Sequence, residues 1–331
     1  MRVFAPGRVN LIGDHTDYTG GLVLPMAIDL GTTVVGTRGG DRVRLTSAEV
    51  EGEAVVPLDV CDPAVMEPPW ARYVAGIVSV LRPATGFVGR VSTTLPVGAG
   101  LSSSAALEVA VALALGFDGS SLDLALACQQ AEQSASGVPC GVMDQLASAA
   151  GVEGHALLID CSTLTVTPVA LPHDVEVVVV HSGQRRRVAE SAYADRRRSC
   201  EVAQASIGSL ASADLDAVET LADPVVRARA RHVVTENERV RRFAMALPAG
   251  DLDECGSLMA ASHESLRTDF EASTARLDQL VAELAATPGV LGARLTGAGF
   301  GGCVVALARP GSLRLGWRVR PVAGAHIIRP G

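Results

Sequence analysis

Aromatic side chains are the first scarcity: they make up 3% of the 331 residues, against 48% apolar residues, so the core must be built mainly from Ala, Val and Leu. An excess of basic residues is missing too. The formal net charge is −8, which excludes the extended cationic face that nucleic acid or an anionic membrane requires and leaves room only for a local phosphate site. The seven cysteines include no C-x-x-C pair, the pattern of a reduced, cytoplasmic protein rather than of a disulfide framework. Long hydrophobic runs are absent: the longest, around residues 105–116, is broken by Glu108 and falls short of the roughly 20 residues that cross a bilayer. The opening MRVFAPGRVN lacks an apolar stretch of about 7 to 15 residues, so no secretory leader is expected.

At roughly 100 to 200 residues per domain, the length predicts two domains or one large one. The division is expected near Leu171-Pro172, giving residues 1–171 and 172–331. Runs rich in β-branched residues predict strands over 32–37, 43–46, 87–94, 156–159 and 175–181. Helical periodicity covers 103–115, 122–134, 187–205, 225–246, 252–266 and 274–286. Two short runs near the end, 303–307 and 326–328, read as further strands. Strand-rich and helix-rich stretches are partly segregated, which predicts an α+β fold rather than a doubly wound parallel sheet.

Against this aliphatic background, polar groups crowd into a few places. GRVNLIGDHTDYTGG, residues 7–21, sets Arg8, Asp14, His15 and Asp17 among four glycines and reads as one loop. The His15-x-Asp17 pair with Asp14 offers too few ligands for a zinc or hard-metal loop; recognition of a polyol fits better, since carboxylates accept hydrogen bonds from hydroxyls and histidine can do either. In LPVGAGLSSSAALEVAVALALG, residues 95–116, glycines and serines lead into a helix. Free backbone N–H groups and the positive end of the helix dipole converge there, making a phosphate cradle. The plainer alternative is that Ser102 only caps the helix. The Walker A pattern with its lysine is absent.

QQAEQSASGVPCGVMDQLAS, residues 129–148, places Glu132 near the end of one helix and Asp144 just inside the next. A carboxylate in so apolar a helix start must be paired, solvated or functional, unless it only stabilises the helix dipole. GAGFGG, residues 297–302, satisfies G-x-G-x-x-G, but the strand-like CVVALA that follows makes it a loop between two strands rather than a dinucleotide turn. In RRRVAESAYADRRRSCE, residues 185–201, a solvated helix face by charge pattern, only Tyr193 stands out.

Taken in order, GRVNLIGDHTDYTGG, PVGAGLSSSAALEVA, AEQSASGVPCGVMDQ and LTGAGFGGCVVAL resemble the galactokinase signature and the three motifs of the GHMP small-molecule kinases. The resemblance runs from Ala5 to about Leu307. It implies a two-domain α+β fold with the active site in the interdomain cleft. The implied activity is ATP-dependent phosphorylation of the anomeric hydroxyl of galactose or a closely related sugar. Pro96, Gly98, Ala99, Gly100, Leu101, Ser102, Ser103 and Ser104 would surround the ATP phosphates and Trp70 would lie against the adenine. Ser104 and Glu132 would hold Mg²⁺. Asp144 would be the catalytic carboxylate, with Arg8 close to it and to the γ-phosphate, and Asp14, His15, Asp17, Gly141 and Tyr193 would contact the sugar hydroxyls. Phosphoryl transfer asks a protein mainly for such positioning and charge neutralisation. The implied partners are a small sugar and ATP, with no nucleic acid or membrane, and a monomer is expected.

Two departures bear on the sugar. The family's usual GEHTDY is GDHTDY here, so Asp14 stops about 1.5 Å short of the glutamate that reaches the C6 end of galactose. SLRTDFEAST carries Thr268 where the family often has an acid. A kinase for a C6-variant hexose or a pentose such as L-arabinose therefore stands beside the galactose reading. Two other classes are a non-catalytic sugar and ATP sensor, against which the intact serine loop, Arg8 and Asp144 speak, and a nicotinamide oxidoreductase, for which only GAGFGG speaks.

Overall fold

The computed structural model describes residues 1–96, 98–184 and 189–329, the side chains of residues 189 and 190 excepted. The strands are β1 (Arg2–Asn10), β2 (Leu22–Val23), β3 (Pro25–Arg38), β4 (Arg42–Ser47), β5 (Glu53–Pro57), β6 (Phe87–Thr93), β7 (His155–Asp160), β8 (Thr165–Ala170), β9 (Glu176–His181), β10 (Val290–Thr296), β11 (Cys303–Ala308), β12 (Trp317–Val319) and β13 (His326–Ile328). The helices are α1 (Ala71–Leu81), α2 (Ser103–Leu115), α3 (Ser121–Ser136), α4 (Met143–Ala150), α5 (Ala189–Ile207), α6 (Leu215–Glu219), α7 (Pro224–Ala249), α8 (Leu252–Thr268) and α9 (Ala275–Ala285).

Three sheets organise the chain, in the orders β13-β1-β3-β6-β4-β5, β10-β11-β9-β12 and β2-β7-β8. Their pairings are antiparallel apart from β4 with β6. The α+β expectation holds. Helices α2 and α4 lie against β1 and β3, while α8 and α9 lie against β10. Apart from its two starting serines and Glu108, helix α2 is apolar all round, with nine buried residues, because it sits between that sheet and α1, α3 and α4. Helix α3 starts at a capping box of Ser120 and Asp123 and stops at Gly137 in the left-handed conformation. The cores are aliphatic as the composition requires, with Phe87, Phe243 and Phe270 the fully buried phenylalanines among the largest side chains.

Several elements go unread in the sequence, among them β2, β5, β8, β12 and α6, and two departures have a clear physical cause. The run 71–81 carries no predicted helix, yet α1 packs on α3 so closely that a Cβ at Gly76 would sit 2.5 Å from the Ala131 carbonyl oxygen; packing decides the element where local pattern does not. Residues 7–10, expected in a loop, are the end of β1. The pairing of β1 with β3 shifts register between Pro6 and Arg8, and such a bulge re-aims the side chain that follows it. The predicted helix over 187–205 begins outside the described residues and is seen as α5 from Ala189. Leu171-Pro172 lies in the turn between β8 and β9, and β13 returns from the far end of the chain to pair with β1. No helix among the described residues is long and apolar enough to cross a membrane, and all seven cysteines are free.

Gly7 is the point where β1 and the serine-rich loop meet. A Cβ there would lie 2.5 Å from the Leu101 carbonyl oxygen and 2.5 Å from a Leu95 methyl. Because a backbone carbonyl cannot swing aside as a side-chain end does, Gly7→Ala is expected to lower stability by about 1–3 kcal/mol, the range for overpacking. Urea denaturation followed by circular dichroism checks this.

Candidate active site

A cavity of about 1240 Å³ is lined from the first half of the chain by Arg8, Asp14, Asp17, the Pro96–Ser104 loop, Glu132 and Asp144, and from the second half by Tyr193, Gly297 and Trp317. At its floor, Arg8 Nε donates to Asp144 Oδ1 at 2.7 Å and Nη2 donates to Oδ2 at 2.7 Å, a fork-to-fork pair. Nη1 of the same guanidinium donates to the Gly100 carbonyl at 2.8 Å, and the Arg8 backbone N–H donates to the Leu101 carbonyl at 3.2 Å. Strand β1, helix α4 and the loop before α2 are thus held by one side chain. Asp144 lies in the first turn of α4, but it is not there simply to satisfy the helix dipole, because both of its oxygens are engaged across the cavity floor.

Ser102 settles the capping alternative. It occupies the N-cap position of α2 in the left-handed conformation and makes no capping hydrogen bond; its hydroxyl donates to Asp144 Oδ2 instead. The start of α2 thus lines the cavity with Ser102, Ser103 and Ser104 and without a side-chain cap, a setting compatible with the expected phosphate cradle.

Next to Asp144 stands a second acidic group. Ser104 Oγ donates to Glu132 Oε1 at 2.9 Å, and Gln145 Nε2 donates to Glu132 Oε2. Burial, and then the nearby charge of Asp144, push the Glu132 carboxyl up to about 7. Deeper still, Gln145 Nε2 reaches Glu108 Oε2 at 3.3 Å, and burial followed by Glu132 raises Glu108 as well. Among the described residues no group of three or more His, Cys, Asp or Glu side chains is arranged to hold a metal ion alone. A buried carboxylate beside a hydroxyl, short of positive charge, suits a divalent cation such as Mg²⁺ that keeps waters and takes its other ligands from substrate phosphates.

At the other end lie the residues expected at the sugar. The short turn Asp17–Thr19 carries Asp17, whose carboxyl is pushed up to about 7 by burial and then by Asp144. Gly141 packs on it so tightly that any Cβ would meet the Asp17 carboxylate. His15, at φ 67°, has Nδ1 3.0 Å from Tyr18 Oη and Nε2 3.2 Å from the Ala298 carbonyl oxygen. A carbonyl only accepts, so Nε2 carries the proton and Nδ1 accepts from the tyrosine. Tyr193 packs on both rings, with centroids 5.6 Å from His15 and 5.3 Å from Tyr18. Asp14 is buried: Gly297 N donates to its Oδ1 at 2.9 Å, and Arg294 Nη2 lies 2.7 Å from its Oδ2, off the line of a hydrogen bond.

Most of the residues singled out from sequence line this one cavity, with two exceptions. Leu101 is buried in the core and only its carbonyl takes part. Trp70 packs against the buried cluster that includes Val74 and Ile77, outside the lining, while Tyr73, one turn on in α1, does line the cavity. Thr268 is exposed at the end of α8 with its hydroxyl on the Glu264 carbonyl, and it is not among the residues lining the cavity. Sequence reasoning missed Tyr73, His181, Gln145, Trp317 and Arg294. The aromatic scarcity was the usable signal, because all three tyrosines and one of the two tryptophans line the cavity or touch rings that do.

Residues 72–152 match the GHMP kinases N terminal domain and residues 243–315 the GHMP kinases C terminal domain. A mevalonate kinase structure from Methanococcus jannaschii shares the fold, with a TM-score of 0.67 at 20% identity over 93% of this chain and 90% of that one. Fold and site together define a small-molecule kinase of the GHMP class, whose members take ATP as a substrate. Residues 1–38 match the galactokinase galactose-binding signature. The chain is 44% identical to the galactokinase of Homo sapiens, covering 93% of this chain and 83% of that one. A Lactococcus lactis galactokinase structure, complexed with galactose, superposes with a TM-score of 0.92 at 31% identity over 98% of this chain and 94% of that one. The chain belongs to the galactokinase family.

Asp17 titrates at about 7 in the fold against 3.8 for the free group. A raised carboxyl contributes stability below its unfolded pKa and loses it as pH rises through the folded one, so wild-type stability falls between about pH 4 and 7 on this account. Asp17→Asn is expected to raise the urea midpoint relative to wild type, by more at pH 8 than at pH 5. An equal difference at both pH values would show that ionisation of Asp17 is not the cost.

Proposed function

We propose that this chain transfers the γ-phosphoryl group of ATP to the anomeric hydroxyl of galactose, giving galactose 1-phosphate and ADP. The observation that carries the reading is the Arg8 fork, which ties Asp144 to the loop before α2 and so fixes a carboxylate beside a phosphate cradle. In this reading the sugar hydroxyl hydrogen-bonds to Asp144, attacks the γ-phosphorus in line with the departing ADP oxygen, and gives up its proton to the carboxylate as the new O–P bond forms. Arg8 lies close enough to Gly100 to meet charge that develops on the transferred group, the kind of preorganised cation that phosphoryl transfer exploits. Asp144 has two oxygens with about four lone-pair sites; Arg8 and Ser102 use three, which leaves one for the substrate.

Ser104 and Glu132 are the residues assigned to Mg²⁺, which when bound would neutralise phosphate charge. Asp17, Tyr193 and the Asp14 carboxylate are assigned to the sugar hydroxyls, with His15 holding Tyr18 and the hairpin loop in place around them. Tyr73 replaces Trp70 as the side chain assigned to the adenine. The reading also takes the active site as a cleft between two domains that divide near Leu171-Pro172, the last strand belonging with the first. The free thiols suit a reducing, cytoplasmic setting.

A coupled assay of ADP release over galactose, its C6-variant analogues, L-arabinose, glucose and mannose tests the substrate. Galactose is expected to give the highest kcat/KM; a clear preference for a C6 variant or for L-arabinose would transfer the assignment to that sugar, and binding without any ADP release would replace the kinase by a sensor. Asp144→Asn and Arg8→Ala are each expected to lower kcat by about a hundred- to a thousandfold or more, the range for losing a preorganised electrostatic partner, with circular dichroism unchanged. Near-normal turnover in either variant would sink the role given to that residue.

A further inference from the structure

We propose that Arg294 is a positioning residue of the sugar site, acting through Asp14: it fixes where that carboxylate points and thereby sets how tightly the sugar is held. The inference rests on the sugar-kinase reading above and deepens it.

Arg294 lies on β10, is fully buried and does not line the cavity. Whatever it does for a ligand it does through a neighbour. Its Nη2 lies 2.7 Å from Asp14 Oδ2, and three residues further along the same hairpin the Gly297 N–H donates to Asp14 Oδ1 at 2.9 Å. One stretch of chain therefore grips both oxygens of the carboxylate. Arg294 Nη1 also donates to the Leu11 carbonyl at 3.1 Å, so the guanidinium pins the main chain just before Asp14 as well as its side chain. Behind it stands Glu236 of α7, with Oε1 3.8 Å from Arg294 Nη2. Glu236 accepts from the Gly13 N–H at 3.0 Å and from the Ser262 hydroxyl at 2.5 Å, and Arg239 Nε donates to it at 2.6 Å. His232 Nε2 is 3.1 Å from the Asp14 carbonyl oxygen. Arg239, Glu236, Arg294 and Asp14 make a chain of alternating charge that ends at the cavity wall.

The alternation explains why an arginine is placed there. Burial pushes the Asp14 carboxyl up, and Arg294 is the largest influence holding it down, ahead of Asn10 and Arg8, while Glu236 acts the other way. Without Arg294, Asp14 would be an uncompensated buried acid that takes up a proton, turning an acceptor for sugar hydroxyls into a donor. A purely structural ion pair of this depth can often be exchanged for apolar groups at little cost; one that orients a ligand-facing carboxylate cannot. It also changes the meaning of the shorter acid at position 14. Asp14 is not retracted into empty space: its oxygens are held by Arg294 and the Gly297 N–H, so its position at the far end of the site is set by the hairpin rather than by its own reach.

The test is Arg294→Met, close in length and uncharged, made in the full chain and again in an Asp14→Asn background, with kcat and both KM values measured. In the wild-type background galactose KM is expected to rise about tenfold or more while ATP KM and kcat stay within about threefold. In the Asp14→Asn background the same change is expected to add less than about twofold, since residues acting through one contact are not additive. Arg294→Lys should recover some of the loss. Parallel rises in galactose and ATP KM, or the same added penalty in both backgrounds, would overturn the inference. Should Arg294→Met not fold alone, the paired variant with both charges removed decides: folded with the galactose KM of Asp14→Asn supports the proposal, and failure to fold assigns Arg294 to folding and overturns it. Turnover of galactose by the wild type tests the underlying reading separately; if another sugar is preferred, the ratios are read with that sugar.

Discussion

Arg8 leaves β1 just after a bulge and meets Asp144, 136 residues away in sequence, with two parallel hydrogen bonds, while a third bond holds the Gly100 carbonyl. That planar fork spans the cavity floor, joining the strand, the helix and the serine-rich loop through one side chain. A point charge on a flexible stem would satisfy the carboxylate without fixing the angle between the three elements. The whole chain favours the planar group, since all 28 of its basic side chains are arginine.

Around that one guanidinium the acids outnumber the cations. Asp17, Glu132 and Asp144 line the same cavity, with Glu108 behind, and burial and mutual repulsion push Asp17 and Glu132 up to about 7. Such crowding is unfavourable, and donating hydroxyls or a cation accompanying phosphate, as proposed above, would relieve it. Stability given up locally in this way is typical of functional sites. The sugar end is arranged differently, with Asp14 compensated from behind.

Much of this is legible from residues alone, because the groups that line the cavity sit in short dense clusters while the aliphatic helices announce themselves by period; α2 has both of its ends where the sequence pattern puts them. What escapes the sequence shares one physical cause. Arg8 and Asn10 read as loop because polar residues in a strand look misplaced until their partners are known. Those partners are Asp144 and Thr296, the latter exchanging hydrogen bonds with the Asn10 backbone across 286 residues. Arg294 is hidden for the same reason: in LGARLT it is one polar letter in an apolar run, and only the fold shows that it ends against two carboxylates. Tyr73 is concealed in a β-branched helix that only tertiary packing stabilises. Trp70 carries the larger ring, but the helical turn presents Tyr73 to the cavity instead.

Strand β13 lies along the outer edge of β1 with Arg2 opposite Ile328 and Phe4 opposite His326. Because the two strands are antiparallel neighbours, Arg2 and Ile328 lie at the same end of the pair. Tension applied between them acts across the ladder rather than along it, so its few hydrogen bonds break in succession instead of sharing the load. Under pulling, β13 peels away first and leaves β1, which carries Arg8, as the new edge of the sheet. That edge pairing thus borders the strand from which the cavity floor is built.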